Sequence, residues 1–209
     1  MTYGEFCDLL SNDFERFIDA GSSSSKMSFV VKIFFSATFS QVFLFRLGSY
    51  LNTKNNLFAK IFNLPVKFLY EMKQRSTGIQ LPLNTEIDGG VRFFHYNCVI
   101  IAKSTVVGKN CSIHQGVTLG RVFNGEKAGC PVIGNNVVIF PGAMVIGNIR
   151  VGDHSVIGAN AVVVNDVPDG CVVGGVPAKV LSYDSHTCFD EELEKSEHAV
   201  THGMINNML

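Results

Sequence analysis

A six-residue beat runs through the centre of this 209-residue chain. Aliphatic residues recur at Ile101, Val107, Ile113 and Leu119, and again at Ile133, Ile139, Val145, Val151, Ile157 and Val163. Compact residues follow four places on, at Thr105, Cys111, Val117, Val137, Ala143, Ser155 and Ala161. Neither a helix nor an alternating strand has that period. Six-residue self-similarity marks a solenoid of short parallel strands, in which each turn buries its apolar face only against the next. Leu81, Ile87 and Phe93 carry the beat upstream.

The beat breaks twice. Phe93 and Ile101 are eight residues apart, so two extra residues around His95 must be extruded or repacked. Leu119 and Ile133 are fourteen apart, and the eight extra residues make an excursion whose body is residues 121–131. Loops that interrupt a strict repeat are held in fixed positions by the scaffold, so chemistry is expected at these two places.

Composition narrows the rest. Seventeen basic residues against eighteen acidic ones give no global field for nucleic acid. Cys7, Cys98, Cys111, Cys130, Cys171 and Cys188 lack a metal-like spacing, and none of the histidines, including His186, His198 and His202 near the end, is regularly spaced from carboxylates or thiols, so no metal is expected. His154 sits in a routine hexad and reads as exposed. The first ten residues include Glu5 and Asp8 and lack a basic stretch followed by an apolar one, which argues against a secretory signal and for the cytoplasm.

Residues 28–48 are Phe-rich, but only thirteen uncharged residues separate Lys32 from Arg46, against the roughly 20 that a spanning helix needs. A buried helix is expected there, with peripheral membrane contact left open. Ile33, Phe34, Ala37, Gln41, Phe45 and Leu47, with Leu57, Ile61, Leu64, Phe68 and Leu69 beyond, suit two packed helices joined at Asn55-Asn56. Pro65 should kink or restart the second, and Ser22–Ser25 should connect back to a first helix over 4–19. The expected division is a helical segment over 1–76, a solenoid over 77–182 and a polar tail over 183–209.

Thr77-Gly78-Ile79, Gln115-Gly116-Val117-Thr118-Leu119-Gly120, Gly147-Asn148-Ile149 and Gly174-Gly175-Val176-Pro177-Ala178-Lys179 together resemble the serine acetyltransferase group of hexapeptide-repeat acyltransferases. The resemblance covers residues 40–180. It implies an all-β solenoid, a left-handed parallel β-helix of hexapeptide repeats with a small N-terminal α-helical segment. It also implies a homotrimer that binds acetyl-CoA between neighbouring β-helices. The family's general base falls on His95, in Phe94-His95-Tyr96-Asn97-Cys98-Val99-Ile100-Ile101. A neutral imidazole there would take the acceptor's hydroxyl proton as the oxygen attacks the thioester. For acetyl-CoA the family pattern carries over Gly120, Pro141, Gly142, Ala159 and Lys179, although the corners of a triangular coil favour Gly, Pro and small residues in any case.

The chain also departs from the family pattern. Gln80 stands where an acid would orient the histidine, and Phe94 replaces the acid just before it. Lys127-Ala128-Gly129-Cys130-Pro131 replaces a loop sequence containing Arg and His. Those changes remove charge partners for a zwitterion. The pattern ending in Cys-Pro resembles the colanic-acid type of polysaccharide-cluster acetyltransferases, and the expected acceptor is therefore a sugar hydroxyl in cell-surface polysaccharide. Phe94, Tyr96 and Phe123 would stack on the sugar or else fill the core. Cys130 would line the acceptor site, and His114 would contact acceptor or CoA or else be a surface imidazole. The alternatives are serine O-acetylation for cysteine synthesis and an inactive trimeric scaffold. A cysteine synthase partner belongs to the serine alternative, and the aliphatic C-terminal end used by that family survives only loosely in Asn206-Asn207-Met208-Leu209.

Overall fold

The computed structural model describes residues 1–17, 30, 33 and 36–185. Ser22–Ser25, Lys32, Phe34, Cys188 and the histidines at 186, 198 and 202 lie outside the described residues, as does most of the 183–209 tail. Among the described residues, helices α1 (Tyr3–Phe17), α2 (Ala37–Asn52) and α3 (Leu57–Thr77) precede fifteen short strands.

The strands wind as the hexad beat requires. Sheet A contains β1 (Ile79–Gln80), β4 (Val99–Ile101), β7 (Thr118–Gly120), β10 (Met144–Ile146) and β13 (Val162–Val163). Sheet B contains β2 (Glu86–Ile87), β5 (Val106–Val107), β8 (Val132–Ile133) and β11 (Arg150–Val151). Sheet C contains β3 (Arg92–Phe94), β6 (Ser112–His114), β9 (Val138–Ile139), β12 (Val156–Ile157) and β14 (Val172–Gly174), followed by β15 (Lys179–Ser182). All pairings are parallel within the coils, and β15 alone runs antiparallel, on β14. The chain is a parallel β-solenoid of about five turns, with sheets A, B and C as the three faces of its prism.

The beat residues form three interior columns. One is Ile101, Leu119, Val145 and Val163; another is Ile87, Val107, Ile133 and Val151; the third is Phe93, Ile113, Ile139, Ile157 and Val173. All are buried, as are Thr105, Cys111, Val117, Val137, Ala143, Ser155 and Ala161 at the neighbouring inward positions. Burial pushes the Cys111 thiol up to about 12, so it remains a protonated core group. Cys130 and Cys171 are also buried free thiols, whereas Cys98 is exposed.

The edge between sheets B and C turns through left-handed residues in every coil: Gly90, Asn110, Asn136, His154 and Gly170. Asn and Gly are the residues that enter this region at least cost. Beside them runs a ladder of side-chain acceptors. The Lys109 N–H donates to Asn135 Oδ1, the Asn135 N–H to Asp153 Oδ1 and the Asp153 N–H to Asp169 Oδ1, each at 2.9 Å. The Asn135 N–H holds the Asp153 carboxyl below its ordinary value. With a folded value below the unfolded one, Asp153 stabilises the fold above the ordinary carboxylate range, and this contribution is lost as pH falls through the folded value. Asp153→Asn keeps an acceptor without the titration. Its stability, measured by urea unfolding, should therefore converge on the parent's in acid; a pH-independent gap would contradict the assignment.

The helices cap the first coil through polar anchors that the periodicity did not reveal. Arg46 on α2 is 2% exposed and Asp13 on α1 is fully buried. Arg46 Nε donates to Asp13 Oδ2 at 2.8 Å and Nη2 to the Asp88 carbonyl at 2.7 Å, while Nη1 reaches the Ile87 carbonyl. Asp13 Oδ1 also accepts from the N–H groups of Gly90 and Val91, at 2.8 and 3.1 Å. Gln41 Nε2 donates to the Ile79 carbonyl at 2.7 Å, and the Tyr70 hydroxyl donates to that of Leu81.

Two expectations about α3 are corrected. Pro65 does not restart it: the helix is continuous from its N-cap, Asn56, to Gly78, whose left-handed backbone ends it. The side expected to pack is the wrong one. Leu57, Ile61, Leu64, Phe68 and Leu69 are exposed, and Ala59, Asn63, Val66, Tyr70 and Thr77 face the fold. A stripe at helical spacing shows which residues share a face, not which element covers it.

Candidate active site

The edge between sheets C and A has a strict corner pattern. The N–H of Gly116 donates to the Asn97 carbonyl, that of Gly142 to Gln115, and that of Asn160 to Pro141, at 3.0, 3.0 and 2.9 Å. Asn97, Gln115, Pro141 and Ala159 are therefore equivalent positions in successive coils, and Cys98, Gly116, Gly142 and Asn160 are the left-handed residues after them. On the strand side, Phe94 pairs with His114. The next coil connects His114 directly to Gln115, so the two extra residues of the first coil are His95 and Tyr96. Both are exposed, and His95 has φ +62°. The first break in the beat thus becomes an extruded pair at the head of one prism edge.

Most of the candidate site residues follow along this edge. Pro141 and Gly142 lie two coils on and Ala159 three. Lys179 lies opposite Gly174 on the last coil. At about 4.8 Å per strand, the five steps from β3 to β15 put Lys179 roughly 24 Å along from His95. Small residues at the intervening corners leave the backbone open to close approach.

His114 is neither a surface imidazole nor part of the corner. It is 7% exposed, stacked between Phe94 and Phe140 with ring centroids 4.8 and 5.2 Å away. Its Nδ1 is 3.0 Å from the Ile139 carbonyl, which can only accept, so the Nδ1 carries hydrogen. Phe94 is half-buried in that stack, and the Arg92 guanidinium lies 4.3 Å from its ring centroid. Tyr96 is 56% exposed beside His95. Arg92 is a cation on this face that lies within a regular strand, outside both breaks in the beat, where nothing in the repeat singles it out.

Gly120 and Cys130 are elsewhere. Gly120 ends β7 at the edge between sheets A and B, where the Gly147 N–H donates to its carbonyl at 3.0 Å. The excursion over 121–131 leaves from the same edge. It is pinched by the Val122–Gly129 bridge and tied to the fifth coil by Lys127, whose Nζ donates to the Val164 carbonyl and Asn165 Oδ1. Cys130 is buried at its base and Phe123 is 76% exposed at its tip. Within one chain, sheet A separates these residues from His95. Among the described residues no three His, Cys, Asp or Glu side chains converge as a metal site.

The bacterial transferase hexapeptide (six repeats) family matches residues 130–165. The serine acetyltransferase of Helicobacter pylori strain J99 is 39% identical over 118 residues, which are 56% of this chain and 68% of that protein. The chain belongs to the serine acetyltransferase family. The Synechococcus elongatus serine acetyltransferase is 38% identical over 120 residues, covering 56% of this chain and 49% of that one. Apart from the Helicobacter proteins, the chain spans about half the length of the curated relatives it matches. Among solved serine acetyltransferases, the Brucella abortus protein in complex with coenzyme A superposes with TM-score 0.70 at 26% identity, over 87% of this chain and 70% of that one. The Neisseria gonorrhoeae protein in complex with serine gives 0.69 at 26%, over 86% and 70%.

These relatives overturn the expected saccharide acceptor and its place in polysaccharide synthesis. They favour the serine alternative instead. Missing charge partners at Gln80, Phe94, Gly129 and Cys130 do not exclude a zwitterion, since the Arg92 guanidinium lies beside Phe94.

Proposed function

We propose that this serine acetyltransferase family member transfers acetyl from acetyl-CoA to the hydroxyl of serine, in cysteine biosynthesis, with His95 as general base. The observation that carries the proposal is the extrusion of His95 at the head of an edge lined by Pro141, Gly142 and Ala159 and ended by Lys179. Acetyl-CoA lies along that edge with its thioester beside His95 and its phosphates towards the Lys179 ammonium. His95 removes the serine hydroxyl proton as the oxygen attacks the thioester carbonyl. A backbone N–H steadies the tetrahedral oxyanion. Collapse breaks the carbon–sulfur bond, and the CoA thiolate recovers the proton from the imidazolium. Arg92 supplies a cation for the serine carboxylate, with Phe94 and Tyr96 as apolar walls.

The site is completed in a homotrimer, where a neighbour's excursion over 121–131 brings Gly120 and Cys130 to the His95 edge. Cysteine synthase is the proposed protein partner. The test is CoA thiol release from acetyl-CoA with and without serine. Serine should accelerate release with saturation in the range of ordinary enzymes, a KM of about 1 mM or below. Release no faster than the acceptor-free control would overturn the serine assignment. Lys179→Ala should raise the KM for acetyl-CoA and leave that for serine unchanged.

A further inference from the structure

We propose that the outer face of α3 is a docking surface for an anionic lipid bilayer, on which the helix lies without crossing it. Eight apolar side chains of this helix, among them Phe58 (84% exposed), Phe62 (67%), Phe68 (65%) and Met72 (54%), are more than half exposed. At 3.6 residues per turn they form one continuous stripe opposite the side that packs on the fold. A contiguous apolar surface of this kind, rimmed by polar residues, marks an interaction site.

Charge selects the occupant. The helix carries Lys60, Lys67, Lys73 and Arg75 against one acid, Glu71, on a chain whose net charge is −1. Lys60 and Lys67, a heptad apart, run along one margin of the stripe, and Lys73 follows the other. Lysines there can keep their ammonium groups at headgroup level while Phe and Leu enter the acyl boundary. A cleft of about 320 Å³ opens on the Lys60 and Lys67 margin, between α2 and α3, and Lys54 and Asn63 also line it. Anionic headgroups complement this arrangement. A second copy docking the same face about a two-fold axis would set the basic margins against each other, since such an interface pairs a patch with itself. No helix among the described residues is long and apolar enough to cross a membrane, which leaves α3 in the plane of the interface.

The test is cosedimentation of the full chain with vesicles of phosphatidylcholine alone or mixed with phosphatidylglycerol. The protein should sediment with the mixed vesicles, less with the neutral ones, and less as salt is raised. Phe58→Asp with Phe62→Asp should lower the bound fraction about tenfold or more by placing charge in the acyl boundary. Lys60→Glu with Lys67→Glu should abolish the preference for phosphatidylglycerol. These positions are exposed, and circular dichroism checks that the variants fold. Failure of the parent to bind either vesicle, or unchanged binding by the Phe variant, would overturn the proposal. So would a vesicle-free assembly larger than a trimer that the Phe variant dissolves, because the occupant would then be a second copy.

Discussion

His95→Ala is expected to lower serine-dependent turnover by about 10²–10⁴-fold, the range for a positioned general base, while acetyl-CoA binding stays close to that of the parent. The separation follows from position. His95 and Tyr96 are the two residues that the first coil adds to its corner, so truncating His95 removes no core contact and alters no later corner. Pre-steady-state mixing with acetyl-CoA, followed by serine, distinguishes binding from transfer. His114→Ala serves as the contrast. Its ring supports the Phe94–Phe140 stack, so its loss should reduce stability more than it reduces chemistry. Full turnover by His95→Ala together with lost turnover in a folded His114→Ala would move the base to His114.

Arg46→Leu is expected to destabilise the fold by about 3–5 kcal/mol, because it leaves a buried carboxylate without its countercharge. Asp13 is fully buried, and desolvation already pushes its carboxyl up, against the pull of Arg46 and of the Gly90 and Val91 N–H groups. Without Arg46 the carboxyl rises further, so the penalty applies above the ordinary carboxylate range. It shrinks as pH falls and the folded and unfolded states both hold the proton. Denaturant titrations of parent and variant at neutral and acid pH check both magnitude and sign. A neutral-pH loss under about 1 kcal/mol, the level of an exposed pair, would mean that the cap does not depend on this ion pair.

The repeat was the legible part of the chain. Every beat residue from Ile87 to Val163 occupies an interior column, because a period of six admits only one register once the Ile and Val positions must face inward. The extruded pair was legible too, as a count of eight where six was due. What the sequence could not convey was long-range. Asp13 and Arg46 are thirty-three positions apart and belong to no periodic pattern. The stripe on α3 is legible as a stripe but not the side that packs, since the packing face is built of Ala59, Asn63, Val66, Tyr70 and Thr77, a less apolar set. His114 was indistinguishable from an exposed residue, because the position after a beat points outward and only the aromatics one coil away on each side enclose it. The separation of Cys130 from His95 likewise appears only once the coils are stacked.

β15 limits how such molecules can grow. A solenoid whose last coil ended in three bare parallel edges would offer the next molecule a template, and end-to-end stacking of that kind has no natural stopping point. Here the sheet C edge is already occupied by a strand running the other way, from Lys179 to Ser182. At the opposite end, Gln41, Arg46 and Tyr70 take up carbonyls of the first coil. At these positions end-to-end stacking, in which translation would make a fibre, finds no free edge to extend.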